Sequence, residues 1–476
     1  MLTAEYRKRD GLDFARMLHN KELTPLELMD CAIQRAEEIN PRLNALCNAN
    51  YDHAREAARD ATLKGQFGAL PFLLKDSGLG YPDLLNSLGS RLFAGLRIGF
   101  NSTLTDRFLE DGLIPFARTT VPEFSMAPTT EAVQNGGPTR NPWDINRSTG
   151  GSSGGAAAAV ASGIVPLAHA SDGGGSIRIP ASCCGIYGLK PSRGLVPAGP
   201  ARGEGWGGLA TDGVLSRSVR DTAAVLDGTA GMEIGAPYAA PFTSRPYVLE
   251  MNKPFDRPQR IAMWSIGFED IPIEAECLDA LAKAKGLLEK MGHQVVDAPL
   301  PPIQFSKFVE AQINVMAANV TVTVNGKVRN DPASGWEERL EPAILDAYQR
   351  GKKLSAESYA LAITRFHTIG RQLATYIRDY DFILTPTLMQ PPVELGVIST
   401  NDDFFSFRSK ISRYATFLAI INASGQPAAS LPLHWSKSGL PIGVQLIAPF
   451  GGEADLLRMS ARLEEVQPWF NTVPEV

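Results

Sequence analysis

Apolar positions fall at helical spacing early in the chain. Thr24 is a good N-cap, Pro25 suits the first helical position, and Glu27 completes a capping box. Leu23 and Leu28 stand at the hydrophobic-staple positions. Met29, Ala32, Ile33 and Ala36 share one face, so the spacing predicts a helix over about 25–39. Asn40-Pro41 is predicted to end it, because a proline pushes the preceding residue out of the helical region.

Further on, Gly68-Ala69-Leu70-Pro71-Phe72-Leu73-Leu74 is a short continuous apolar run ending at Lys75 and Asp76. It reads as a buried strand with charge at its C-terminal end. Strands are also predicted over 260–264, 294–296, 380–386, 428–433 and 443–447, with a helix over 274–291 closed by Gly292. Helical patterns flank these runs. The predicted class is α/β, with a central mixed β-sheet flanked by helices. There is no internal repeat and no linker able to separate independent units, so 1–476 reads as a single large domain with an N-terminal helical segment over about 1–60. The proline-rich stretch 240–258 reads as a surface excursion.

Composition narrows the class. The 476 residues are 44% hydrophobic and 20% charged, which excludes a disordered chain, a coiled coil and a collagen-like fibre. A net charge of −5 gives no electrostatic argument for nucleic acid. Five cysteines in such a length make no disulfide framework and suit a reducing compartment. The start, MLTAEYRKRDGLDF, lacks the apolar stretch of a signal peptide. The uncharged segment from Ser148 to Ser171 is mostly Gly, Ser and Ala, too weakly apolar for a membrane span. A soluble, cytoplasmic protein is expected.

Several chemistries find no support. The six histidines lack zinc-ligand spacing, and no HExxH or CxxC occurs, so no metal site is expected. Cys183 and Cys184 are adjacent and on a strand would point to opposite faces, so a buried apolar role is expected. Gly78-Leu79-Gly80 begins like a dinucleotide fingerprint, but Asp83 stands where the third glycine belongs. What remains is a Gly/Ser-rich region in two blocks, 148–155 and 171–180. A flexible linker fits poorly, because Ala156 to Val160 lie in helical register and Ile164-Val165-Pro166-Leu167 is apolar. The other reading is a tight loop whose N–H groups converge on an anion, with hydroxyls poised for attack. A nucleophilic serine needs a base. Only His169 lies near either block, and a buried lysine at the end of an apolar strand, Lys75, can replace histidine.

These segments together resemble the amidase signature family. The resemblance rests on Gly150-Gly151-Ser152-Ser153-Gly154-Gly155, on Gly174-Gly175-Ser176-Ile177-Arg178-Ile179-Pro180, and on Cys184-Gly185 with Gly188-Leu189-Lys190-Pro191. Ser152 and Ser176 are 24 positions apart, as in the family. Pro71 to Asp76 matches the family's lysine segment, and Thr139-Arg140-Asn141-Pro142-Trp143 precedes the loop. Weaker matches follow at 384–387 and 439–443. Within the family the chain looks most like the nylon cyclic-dimer hydrolases, aryl acylamidases and urethane-cleaving amidases. It is less like the tRNA amidotransferase subunit, since 413–419, ahead of Asn422-Ala423-Ser424-Gly425, contains no acid. An amidase subunit of such an assembly is the alternative reading.

The resemblance implies the twisted, mixed-sheet fold of the family and hydrolysis of amides without a cofactor. Bulky aryl or alkyl amides are favoured, with esters or carbamates also allowed. It implies Ser176 as nucleophile, Ser152 as bridging serine in a cis peptide after Gly151, and Lys75 as base. Gly173, Gly174 and Gly175, with the N–H of Ser176, would form the oxyanion hole. Asp172 and Arg178 are expected to pair and stiffen the loop, and Ser153 to add a supporting hydrogen bond. Ser171 stands where the family usually has threonine and keeps the hydroxyl. Met126, Trp206 and either Phe305 or Phe308 are candidates for an apolar substrate pocket. The partner is then a small-molecule amide, without nucleic acid or membrane, and a homo-oligomer is left open.

Overall fold

The computed structural model describes residues 3–330 and 334–475. In chain order the strands are β1 (Leu46–Cys47), β2 (Leu70–Lys75), β3 (Leu113–Thr119), β4 (Leu167–Asp172), β5 (Tyr187–Lys190), β6 (Thr211–Ser216), β7 (Arg260–Met263), β8 (Gln294–Asp297), β9 (Phe382–Pro386), β10 (Ala428–Trp435) and β11 (Pro441–Ile447). Eight of them form the central sheet in the order β4-β6-β5-β10-β11-β9-β7-β8. β7 runs parallel to β8 and β9, and the other neighbours are antiparallel, so the sheet is mixed. The remaining three make a small sheet, β1-β3-β2.

Strand alternation distributes apolar side chains to two faces. Ile261, Met263, Phe382 and Leu384 join one hydrophobic cluster, with helices Pro25–Leu43, Gly154–Ala161, Val219–Thr229 and Glu453–Val466. Ala262 and Ile383 join the other, with helices Phe305–Asn330, Ala356–Tyr376 and Phe404–Tyr414. The class is therefore α/β, with helices on both faces of a mixed sheet.

Four helices, Thr3–Tyr6, Gly11–His19, Pro25–Leu43 and Tyr51–Arg59, occupy the N-terminal segment, interrupted by β1. The capping box is formed: the Glu27 N–H donates to Thr24 Oγ1, and Glu27 Oε2 accepts from the Thr24 N–H. This helix does not stop at Asn40 but runs through Pro41 to Leu43. Proline removes one helical N–H, and its usual acceptor belongs to exposed Glu37, where water can replace it. Burying Leu43 stabilises the extra turn by about 1.5–3 kcal/mol. Cys183 and Cys184 lie in the helix Arg178–Cys184, not on a strand, and both are buried. Stretch 240–258 is not wholly a surface excursion. It holds the short helix Tyr247–Glu250, and Tyr247 and Met251 are buried in the core.

Two features position the candidate site. β2 is the edge of the small sheet, and its free side meets β4 of the large one through a Lys75–His169 hydrogen bond. The helix Gly154–Ala161 is buried at every residue. Its small side chains permit that: a Cβ on Gly155 would fall 2.4 Å from the Thr120 nitrogen.

Candidate active site

The continuous apolar run of β2 buries all six of its residues and carries Lys75 into the interior at its C-terminal end. The amine is wholly enclosed. Lys75 Nζ donates to Ser152 Oγ at 2.8 Å and to Ser171 Oγ at 2.9 Å. Burial pushes the amine down from its ordinary value to about 7, against Asp212 and Asp172, which favour the proton, while Arg202 adds to the lowering.

Ser152 lies in the turn before the buried helix, and the Gly151–Ser152 peptide is cis. Ser153 Oγ donates to the Ser171 carbonyl at 3.3 Å, tying the serine turn to the end of β4. The Asn141 side chain donates to the carbonyls of Ser148 and Cys183, and Trp143 Nε1 donates to the Cys184 carbonyl. These bonds tie the first Gly/Ser block to the helix that follows the second.

The second block is organised by a buried ion pair. Asp172 and Arg178 meet at 2.9 Å with no exposure of either side chain. Asp172 also accepts from the N–H groups of Gly175 and Ile177. Burial alone would raise the Asp172 carboxyl, but the Arg178 guanidinium and the Asn422 amide hold it well below the usual carboxylate range. Arg178 further donates to Asn422 Oδ1 and Gln445 Oε1, both at 2.7 Å. The Gly175 N–H already donates to Asp172 Oδ1 at 2.7 Å, so a place in an oxyanion hole would be shared with that carboxylate. The loop hydrogen bonds use none of the N–H groups of Gly173, Gly174 and Ser176 among the described residues.

Ser152, Ser171, Gly173 and Ser176 line one cavity of about 300 Å³. Ser176 is half-buried, and its hydroxyl makes no hydrogen bond among the described residues. Met126 and Trp206 line the same cavity. Glycine at 173 lets the indole lie on the loop, since a Cβ there would fall 2.6 Å from the Trp206 ring. Phe305 and Phe308 do not line it. Both are core residues, Phe305 stacking on Phe268 with ring centroids 5.5 Å apart. Nor is the lining simply apolar: Leu88, Phe124 and Val320 are joined by Arg202, Glu204, Asp212 and Asn319.

Sequence reasoning missed Asp212, Arg202 and the structural part of Asn422. Asn422 stands out in the sequence only as part of a family-like segment, and its contacts span 250 positions. Asp212 and Arg202 carry no local pattern. Among the described residues no cluster of three or more His, Cys, Asp and Glu is placed to hold a metal. No described helix is long and apolar enough to cross a membrane.

The chain is similar to known proteins over nearly its whole length. The amidase family profile matches residues 27–457. The 6-aminohexanoate-cyclic-dimer hydrolase of Paenarthrobacter ureafaciens is 31% identical, over 98% of this chain and 97% of that protein. A solved 6-aminohexanoate cyclic dimer hydrolase with bound substrate superposes with a TM-score of 0.93 at 29% identity, covering 98% of this chain and 99% of that one. A bacterial aryl acylamidase of the amidase signature family superposes with a TM-score of 0.89 at 26% identity, covering 98% of each chain. With a lysine–serine contact set in a Gly/Ser-rich fold of this kind, the chain belongs to the amidase signature family and is a serine hydrolase of that class.

Proposed function

We propose that this chain hydrolyses carboxylic amides through an acyl-enzyme on Ser176, with Ser152 as proton bridge and Lys75 as base. The observation that carries the reading is the 2.8 Å contact of the buried Lys75 amine with Ser152 Oγ, a serine that lines the same cavity as Ser176. With its proton affinity lowered to about 7, the amine is substantially neutral near physiological pH and can take a proton. Ser176 passes its proton to Ser152 as it attacks the carbonyl, and Ser152 passes its own to Lys75. The protonated amine returns a proton through Ser152 to the leaving nitrogen. Water then attacks the acyl carbon and gives a proton through Ser152 to Lys75, and the amine returns it to Ser176 Oγ as the ester bond breaks and the acid leaves.

Among the described residues Ser176 Oγ has no competing partner, so bound substrate can align it with Ser152. The N–H groups of Gly173, Gly174 and Ser176 are the donors for the oxyanion. Each such donor is worth about 2.7–4 kcal/mol of barrier. Asp172, Arg178 and Ser153 hold that loop still. The Phe124, Met126 and Trp206 wall favours a bulky aryl or alkyl amide, and the Arg202, Glu204 and Asn319 side favours one bearing a polar group. The likeness to a 6-aminohexanoate-cyclic-dimer hydrolase and to an aryl acylamidase points the same way. The five unpaired cysteines support a reducing, cytoplasmic setting. Sharing of one sheet by β4–β6 and β7–β11 supports reading the whole chain as one domain.

The test is a panel of chromogenic amides, esters and carbamates, including 4-nitroacetanilide, with wild type and Ser176→Ala. Amide turnover by wild type and none by the variant is expected. Equal rates would remove the assignment.

A further inference from the structure

His169 is the histidine nearest the serine blocks in sequence, yet the mechanism does not use it. Its surroundings explain why. The Lys75 backbone N–H donates to His169 Nδ1 at 3.1 Å. A backbone N–H can only donate, so Nδ1 is the acceptor and the ring proton sits on Nε2. Nε2 meets Asp212 Oδ1 at 3.1 Å, and the other carboxylate oxygen accepts from Arg202 Nη2 at 3.1 Å. Burial holds His169 below its ordinary value despite Asp212, in keeping with a neutral ring. Both ring nitrogens are spoken for, and the ring packs against Phe108 with centroids 5.8 Å apart. His169 is therefore a bridge between sheets, not a base.

We propose that Arg202, Asp212 and His169 form a positioning chain behind Lys75, which anchors its backbone and sets the charge field at its amine. The chain deepens the amide-hydrolase reading above and rests on Lys75 being the base. Among the described residues no strand is paired with β2 on that edge, so the His169 side chain from β4 supplies the acceptor that a paired strand would have given. The charges around Lys75 divide into fixed and adjustable. Asp172 is locked by Arg178, Asp76 is bound by Ser87, and Arg118 faces the Lys75 carbonyl at 3.3 Å. Asp212 is buried, but its partner Arg202 is 43% exposed and lines the cavity. Asp212 favours the protonated amine and Arg202 opposes it, so the pair acts as a two-sided control.

The test reads base-assisted reactivity of the serine without assuming a substrate. The second-order rate of sulfonylation by phenylmethylsulfonyl fluoride, followed by intact-protein mass, is measured against pH. Arg202→Gln should move the rising limb to alkaline pH, and Asp212→Asn should move it to acid pH, each by about one pH unit. His169→Leu should slow the reaction roughly tenfold at every pH, and His169→Asn, which can return an acceptor, should recover most of that loss. Limbs that coincide with wild type, or move in one direction together, overturn the proposal. If Asp212→Asn fails to fold, the half-exposed Arg202→Gln decides alone, and an unmoved or acid-shifted limb is fatal. Lys75→Ala separates the two levels: a limb that survives it sinks the base assignment, while loss of the limb with no opposed shifts sinks only the chain.

Discussion

Replacing Lys75 by methionine should stabilise the fold, by an amount that shrinks as pH rises. In the folded chain the amine falls from 10.5 to about 7 because it is buried. In the unfolded chain it keeps its ordinary value. Between those two values the unfolded state binds more protons, so wild-type stability climbs with pH by about 1.4 kcal/mol per pH unit. At pH 7 and below, the accumulated penalty is roughly 5 kcal/mol. Methionine fills the space of the lysine stem and does not titrate. It gives up the hydrogen bonds to Ser152 and Ser171, about 1 kcal/mol each and independent of pH. The net gain at pH 7, where the folded amine is half protonated, is therefore about 2.5 kcal/mol, and it should fall by about 2.3 kcal/mol by pH 9. Urea denaturation of both proteins at pH 7, 8 and 9, at one ionic strength, measures it. All other titrating groups are common to the pair and cancel. A stability difference that stays constant across this range refutes the lowered proton affinity on which the base assignment depends.

Other perturbations probe other parts. Amide turnover, as kcat/KM, should rise through about pH 7 and level above it, since Lys75 must be neutral to accept a proton; a maximum at acidic pH contradicts this. Arg178→Met strands Asp172 as a buried unpaired carboxylate and should cost about 3–5 kcal/mol in urea melts, whereas a loss under about 1 kcal/mol would show the pair is dispensable. Ser171→Ala removes one of two hydroxyls on the Lys75 amine, and kcat should fall roughly tenfold with KM little changed. Trp206→Ala opens the cavity wall and should raise KM for aryl amides more than for short alkyl amides; equal effects would place the indole outside the substrate contact.

Local rules made part of the fold legible. The capping box at Thr24 and Glu27 is complete within four residues, and the structure contains it. The proline rule misjudged the helix end, because a buried Leu43 outweighs one lost hydrogen bond on an exposed face. Strands β7 to β11 showed as short apolar runs, but a run does not reveal its neighbours. That Lys75 closes a separate small sheet, with its edge against β4, depends on pairing across 94 positions. The Gly/Ser blocks drew attention to the site through composition and family resemblance. Gly175 shows the limit of such reading, because an N–H turned to an aspartate and one turned to a cavity have the same sequence. Phe305 and Phe308 illustrate the matching difficulty for apolar residues, where core and pocket wall look alike. The His169–Asp212–Arg202 chain was invisible for a third reason: its members lie on β4, on β6 and in the loop before β6, and only the sheet register brings them together.

The most direct measurement is to label the protein with a fluorophosphonate at pH 8 and locate the adduct by peptide mass spectrometry. A single adduct on Ser176 is expected, absent in Ser176→Ala and strongly slowed in Lys75→Ala. An adduct on Ser152 or Ser171, or labelling of Ser176 at an undiminished rate without the lysine, would contradict it.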